Sequence, residues 1–109
     1  MTLVKFFDLL KQSNIPVWHY EAELEEPPYI VYQELSTTYD NASGRPFEEY
    51  IRLEVVHFTK DGLCPSLKRL KDLLFENKIG FSIAHGYDKA TKTIINQLEI
   101  TIRRRLDHD

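Results

Sequence analysis

Two stretches of the sequence alternate apolar and polar residues strictly enough to decide what the chain can become. In residues 47–59, Ile51, Leu53 and Val55 fall on one side of a period of two, and Tyr50, Arg52 and Glu54 on the other. In residues 93–106, Ile94, Leu98, Ile100 and Ile102 share one side, with Gln97, Glu99, Thr101 and Arg103 opposite. Successive side chains of an extended chain point to opposite faces, so each stretch is a strand with one face to bury and one to leave wet. Something apolar must cover the buried faces. Beyond Val55 the phase slips, with Val56 and Phe58 apolar on the other parity, which predicts either a bulge or a strand covered on both faces near its end.

The cover comes from two helical segments. Leu3, Phe6, Phe7 and Leu10 recur at i, i+3, i+4 and i+7, one face of a helix that Thr2 can cap and Ser13, Asn14 and Pro16 end. A second helix is signalled by Pro65 near its start and by Leu63, Leu67, Leu70 and Leu74. Residues 77–80 stop it, and Lys68 and Asp72 lie one turn apart on its outer side, in the weaker order for an ion pair.

Residues 17–21 and 29–35 are short and rich in aromatic and β-branched residues, hence strands, separated by a connection in which Pro27 and Pro28 remove backbone donors. Residues 36–46 hold Ser, Asp, Asn, Gly and Pro throughout and predict a loop of about ten residues, long enough to be a working part. Residues 81–85 form a short strand and 86–91 a turn. The class is therefore α+β: a two-layer sandwich in the order α-β-β-β-α-β-β, with a mostly antiparallel sheet carrying both helices on one face. At 109 residues the chain is one domain, spanning 1–109.

Composition excludes several classes of function. An apolar share of 42% with 13 aromatics is that of a folding chain, and a net charge of −3 gives no broad positive field for nucleic acid or an anionic membrane. Cys64 stands alone, which rules out an internal disulfide and fits a reducing compartment. No leader and no apolar run of about 18 residues is visible, so a soluble intracellular protein is expected.

The residues that could carry chemistry have plainer readings. Cys64 with His57 or His85 would make a nucleophile and base, but no orienting third group or oxyanion motif accompanies them. His19, His57, His85 and His108 lack the short spacing of metal ligands. Glu21, Glu23, Glu25 and Glu26 lack a glycine-turned ligand loop and read as a solvated or partner-facing patch. No cofactor and no metal is expected. On a strand, Arg103 and Arg105 face the polar side and Arg104 the other, so the three arginines form no single phosphate patch; pairing with Glu34 or Glu54, or an intersubunit contact, is preferred. What remains are interaction features: Thr37, Thr38, Tyr39, Asp40, Asn41 and Arg45 in the 36–46 segment, with Arg103 and Arg105.

Taken together, the opening Thr2–Leu10 helix, the run from Ile15 to Tyr20, Pro27 to Tyr32, Tyr39 to Asn41, Tyr50 to Glu54, the 67–74 helix and the closing strand resemble the small tail terminator, or head-to-tail joining, proteins of long-tailed bacteriophages and prophages. That resemblance implies a virion-assembly protein without catalytic activity. It implies a ring, usually a hexamer, that caps the tail tube, ends its polymerisation and docks on the head connector or stopper; head-completion adaptors and stoppers are the neighbouring possibility. Its partners would be further copies of itself, the major tail tube protein and the connector, with no membrane and no direct nucleic-acid contact. It would reside in the virion tail, and in the host cytoplasm during assembly. The 36–46 loop would face a neighbour or the tube lumen, and would order only on assembly because ordering costs ~1–2 kcal/mol of backbone entropy per residue, leaving the free subunit monomeric.

Overall fold

The computed structural model describes residues 1–23, 26–42 and 44–106. Helix α1 (Leu3–Lys11) opens with Thr2 as its cap, whose side-chain oxygen accepts from the Lys5 backbone N–H at 3.2 Å, satisfying one of the donors a helix start leaves without a partner. Phe6, Leu9 and Leu10 are buried, with Leu3 and Phe7 partly buried beside them. Helix α2 (Pro65–Glu76) buries Leu70, Leu73 and Leu74. Leu63, expected on its apolar face, lies ahead of the helix and is 91% exposed; Pro65 fixes the first turn, and Leu73 fills the position on the core side instead. The Arg69 Nε–H donates to the Gln12 carbonyl at 2.6 Å and ties the helices together.

Five strands form one sheet. They are β1 (Val17–His19), β2 (Tyr29–Ala42), β3 (Arg45–Thr59), β4 (Phe81–Asp88) and β5 (Thr93–Arg105), ordered β1-β2-β3-β5-β4. Among the described residues only the β1–β2 pair is parallel. The fold is α+β, with both helices packed on the sheet, in the chain order expected from sequence.

The core lies between helices and sheet. Ile51, Leu53 and Val55 of β3 and Leu98, Ile100 and Ile102 of β5 meet Phe6, Leu10, Leu70 and Leu74, all buried. Each such side chain contributes roughly 1.5–3 kcal/mol on leaving water. The slip at Val55 is not a bulge: the β3–β5 register runs unbroken from Glu48↔Arg105 to Thr59↔Ile94, and Val55, Val56 and His57 are buried in succession, Val56 on the face away from the helices among its strand neighbours. The irregularities are in β2, where the register shifts between Glu34 and Ser36 and again between Asp40 and Asn41.

The expected loop at 36–46 is not a loop. β2 continues to Ala42 and β3 begins at Arg45, leaving the turn to residues 43 and 44, of which Ser43 lies outside the described residues and Gly44 has φ +78°. Thr37, Thr38 and Tyr39 favour strand, and pairing from Ser36↔Arg52 to Ala42↔Arg45 gives the backbone partners that a loop would have to find in water. Pro46, which cannot donate to a ladder, falls beside the second register shift. Strand β4 likewise runs past His85 to Asp88.

The long hairpin gives the molecule its shape. Its radius of gyration is 15.3 Å, above the ~13 Å of a compact chain of this length. The longest dimension, 53 Å, matches the 15 residues of β3 at ~3.4 Å each.

Candidate interaction surface

The residues singled out from sequence converge on the arm formed by the outer halves of β2 and β3 and the end of β5. Register places them in rows across three strands: Thr38, Tyr50 and Arg103; Tyr39, Glu49 and Arg104; Asp40, Glu48 and Arg105. The first and third rows face away from the helices, the second faces the helix side. Asn41 and Arg45 are at the tip, opposite Pro46 and Ala42 respectively. Thr37 pairs with Ile51, where the arm joins the core. All of the sequence-selected positions are thus brought together, by pairing rather than by a loop.

Charge is organised along these rows. The Tyr50 hydroxyl is 2.6 Å from a Glu48 carboxylate oxygen and 2.9 Å from an Asp40 oxygen. Its single proton serves one acceptor at a time, and the two carboxylates, Glu48 first, push the phenol up to about 12. On the helix side the Tyr39 phenol is raised by a hydrogen bond to Glu49, while the Arg104 guanidinium opposes that rise; Arg104 Nε is 3.5 Å from Glu49. Arg104 therefore pairs within the arm, with Glu49. Arg52 Nε is 3.6 Å from Glu99, and Glu54 accepts from Gln33 at 3.2 Å.

Glu34 belongs to a different group, which sequence did not reveal. His19 stacks between Tyr20 and Tyr32, ring centroids 4.3 and 4.5 Å away, and its Nε2 is 2.9 Å from Glu34, which also accepts from the Tyr20 hydroxyl. Burial opposes ionisation of Glu34, yet these hydrogen bonds hold its carboxyl below the usual range. The signal available was parity: His19 and Glu34 both stand on the helix-side face, two strand rungs apart.

Cys64, His57 and His85 do come close, but through intermediaries. His85 Nδ1 is 2.6 Å from Asn96 Oδ1, Asn96 Nδ2 is 3.3 Å from His57 Nδ1, His57 Nε2 is 2.7 Å from Ser66 Oγ, and Ser66 Oγ is 2.9 Å from Cys64 Sγ. With Asn96 donating to Nδ1, His57 carries its proton on Nε2 and donates to Ser66, whose hydroxyl in turn shares a hydrogen bond with the Cys64 sulfur in which either group can donate. Neither imidazole nitrogen is placed to take the thiol's proton. Burial alone lowers His57 to about 4, so it is neutral near pH 7. Burial raises the Cys64 thiol, and hydrogen bonds from Ser66 and Thr59 and from the backbone of Ser66 and Leu67 outweigh it. A cleft of about 400 Å³ lined by Cys64, His85, Asn96 and Lys71 opens beside this chain of bonds.

Among the described residues no group of three or more His, Cys, Asp or Glu is placed to hold a metal ion, and no helix is long and apolar enough to cross a membrane. Of the acidic patch, Glu25 lies outside the described residues, as does His108. No protein-family model matches the sequence, and no curated protein matches it.

The face of the sheet away from the helices is not uniformly polar. Tyr29, Val31, Val56, Phe58 and Ile95 line an open groove of about 490 Å³, bordered by Gln33, Glu54 and Gln97. The strand partners Tyr29↔Phe58↔Ile95 and Val31↔Val56↔Gln97 set its rows.

Proposed function

We propose that this chain is a structural subunit of a long-tailed bacteriophage or prophage: a tail terminator that assembles into a ring, caps the tail tube, stops its growth and joins tail to head. It acts by presenting surfaces, without catalysis. The observation that carries this reading is the arm. Three strands of polar rows extend from the core past the start of α1, where the Met1 amine donates to the Arg103 carbonyl at 2.6 Å, and Thr37 to Asn41 of β2 stay exposed to the tip. Polar strands with little apolar face to bury add little stability for their length. They provide a rigid surface for a neighbour.

The mechanism is geometric. Copies add to the last ring of tube protein, and the face they turn outward no longer matches the tube's own subunits, so polymerisation ends and the connector or stopper of the filled head docks there. Because the arm is paired along its length, its ordering entropy is met during folding. The paired arm therefore gives no entropic reason for the free subunit to stay monomeric.

Electron microscopy of particles made without this chain tests the proposal. Overlong, headless tails are the expected result. Tails of normal length with empty or leaking heads would replace the terminator by a head-completion adaptor or stopper, and normal particles would overturn the assembly role altogether.

A further inference from the structure

The sheet ends in two borders that nothing among the described residues covers. On one side, β1 pairs only with Ile30, Val31 and Tyr32, and the His19–Tyr20–Glu34 cluster closes the border as far as Glu34. Beyond it, residues 36–40 of β2 run in regular register between the two shifts, with their outer backbone side open. On the other side, β4 is the last strand for eight residues. Soluble proteins blunt such edges with charged residues, lysine above all, with proline, with bulges or with shortness, and on β2 the two register shifts bracket the open run without interrupting it. Neither β2 nor β4 contains a lysine, arginine or proline.

We infer that these two borders pair with each other between neighbouring copies of this chain, residues 36–40 of one copy adding antiparallel to β4 of the next. This deepens the ring reading above and rests on it. Three observations argue for a second copy as the occupant. The borders are different surfaces on opposite sides of one sheet, so their pairing is head-to-tail, the kind of contact that closes a ring. Strand direction agrees: β2, β3, β5 and β4 alternate, so a β2 continuing past β4 in the same sheet runs antiparallel to it. Charge agrees too. The open run of β2 carries Asp40 and no basic residue, whereas the turns flanking β4 present exposed Lys78, Lys89 and Lys92 against the single acidic Asp88 of the strand itself.

Parity then selects the partners. Thr38 faces away from the helices, as do Ser82, Ala84 and Gly86 of β4. Centring the two runs sets Thr38 opposite Ala84. The open part of β2 is opposite β3 near Tyr50 while β4 lies level with Val56, an offset of about six residues or ~20 Å, so the joined strands incline to the ring axis as in a closed barrel.

Cysteine cross-linking in the full chain tests this, on a Cys64→Ser background. A Thr38→Cys chain is mixed with an Ala84→Cys chain at about 1 mM, where contacts of millimolar dissociation constant are half populated, and oxidised mildly. Ser82→Cys and Gly86→Cys replace Ala84→Cys in parallel, to allow a register two residues away. All four positions are exposed, and circular dichroism checks that each variant folds. The expected result is a mixed disulfide dimer with at least one β4 variant and none from any variant alone. Dimers from a β4 variant alone would mean twofold β4–β4 pairing and overturn the inference. Sedimentation showing oligomers without any mixed cross-link would place the contact elsewhere, overturning the inference while leaving the ring. A chain that stays monomeric overturns it as well, and the fate of particles lacking the chain then decides the terminator reading separately.

Discussion

Acidification should destabilise this protein by a separable amount through His57. Its side chain is 0% exposed, on the helix-side face of β3 between Asn96 and Ser66, and burial lowers it from 6.5 to about 4. Below pH 6.5 the unfolded chain holds a proton on this imidazole that the folded chain refuses until about pH 4. The unfolded state therefore binds more protons in that window, and stability rises with pH across it. The stabilisation is complete above about pH 6.5 and is lost as pH falls toward 4. Between pH 7.5 and 4.5 the loss is roughly 2.5 kcal/mol at 1.36 kcal/mol per unit, a large share of a typical 5–15 kcal/mol. Carboxylates such as Glu34 also lose stability in acid, so the assay compares wild type with His57→Gln by urea unfolding at both pH values. Glutamine can still donate to Ser66 and accept from Asn96 but does not titrate. Wild type should be more stable than the variant at pH 7.5, and by roughly 2.5 kcal/mol less so at pH 4.5. A wild-type advantage of the same size at both pH values would refute the reasoning.

Tyr50→Phe should remove one late-titrating phenol: alkaline ultraviolet titration of wild type should show a tyrosine near 12, absent in the variant. Leu53→Ala, at a site 0% exposed beneath both helices, should cost 2–5 kcal/mol in denaturant unfolding. Thr2→Ala should cost about 1 kcal/mol by the same measurement, through the lost hydrogen bond to Lys5 N. At the arm's tip Gly44→Ala meets no neighbouring atom within 4 Å, so any loss comes from its φ of +78° alone, about 1 kcal/mol.

The buried faces of this fold are legible because burial writes a period into the sequence. Phe6 and Leu10 betray α1, and Leu53, Val55, Leu98 and Ile100 betray the two central strands, since each must be apolar at its turn of the pattern. The arm is illegible by the same logic. Thr37 to Asn41 cover no core on either face, so no alternation marks them, and their turn-forming composition argues for a loop; only pairing with residues 46–51 makes them a strand. The hydrogen-bonded chain from His85 to Cys64 left a fainter trace. His57 and Asn96 are polar residues on the apolar parity of two strands, and directly opposite in register, yet they are 39 positions apart and nothing local predicts that they meet. Candidate interaction residues were found because exposed aromatic and charged side chains in one segment are conspicuous. Their arrangement in rows with Arg103 and Arg105 depends on long-range register, which no local pattern carries.

As proposed, this chain ends the growth of a tube. Adding purified chain to polymerising tail tube protein and measuring lengths by electron microscopy puts that claim to the test. Tubes should shorten as the proportion of chain rises, with a cap visible at one end. Unchanged lengths and bare tips at saturating chain would contradict it.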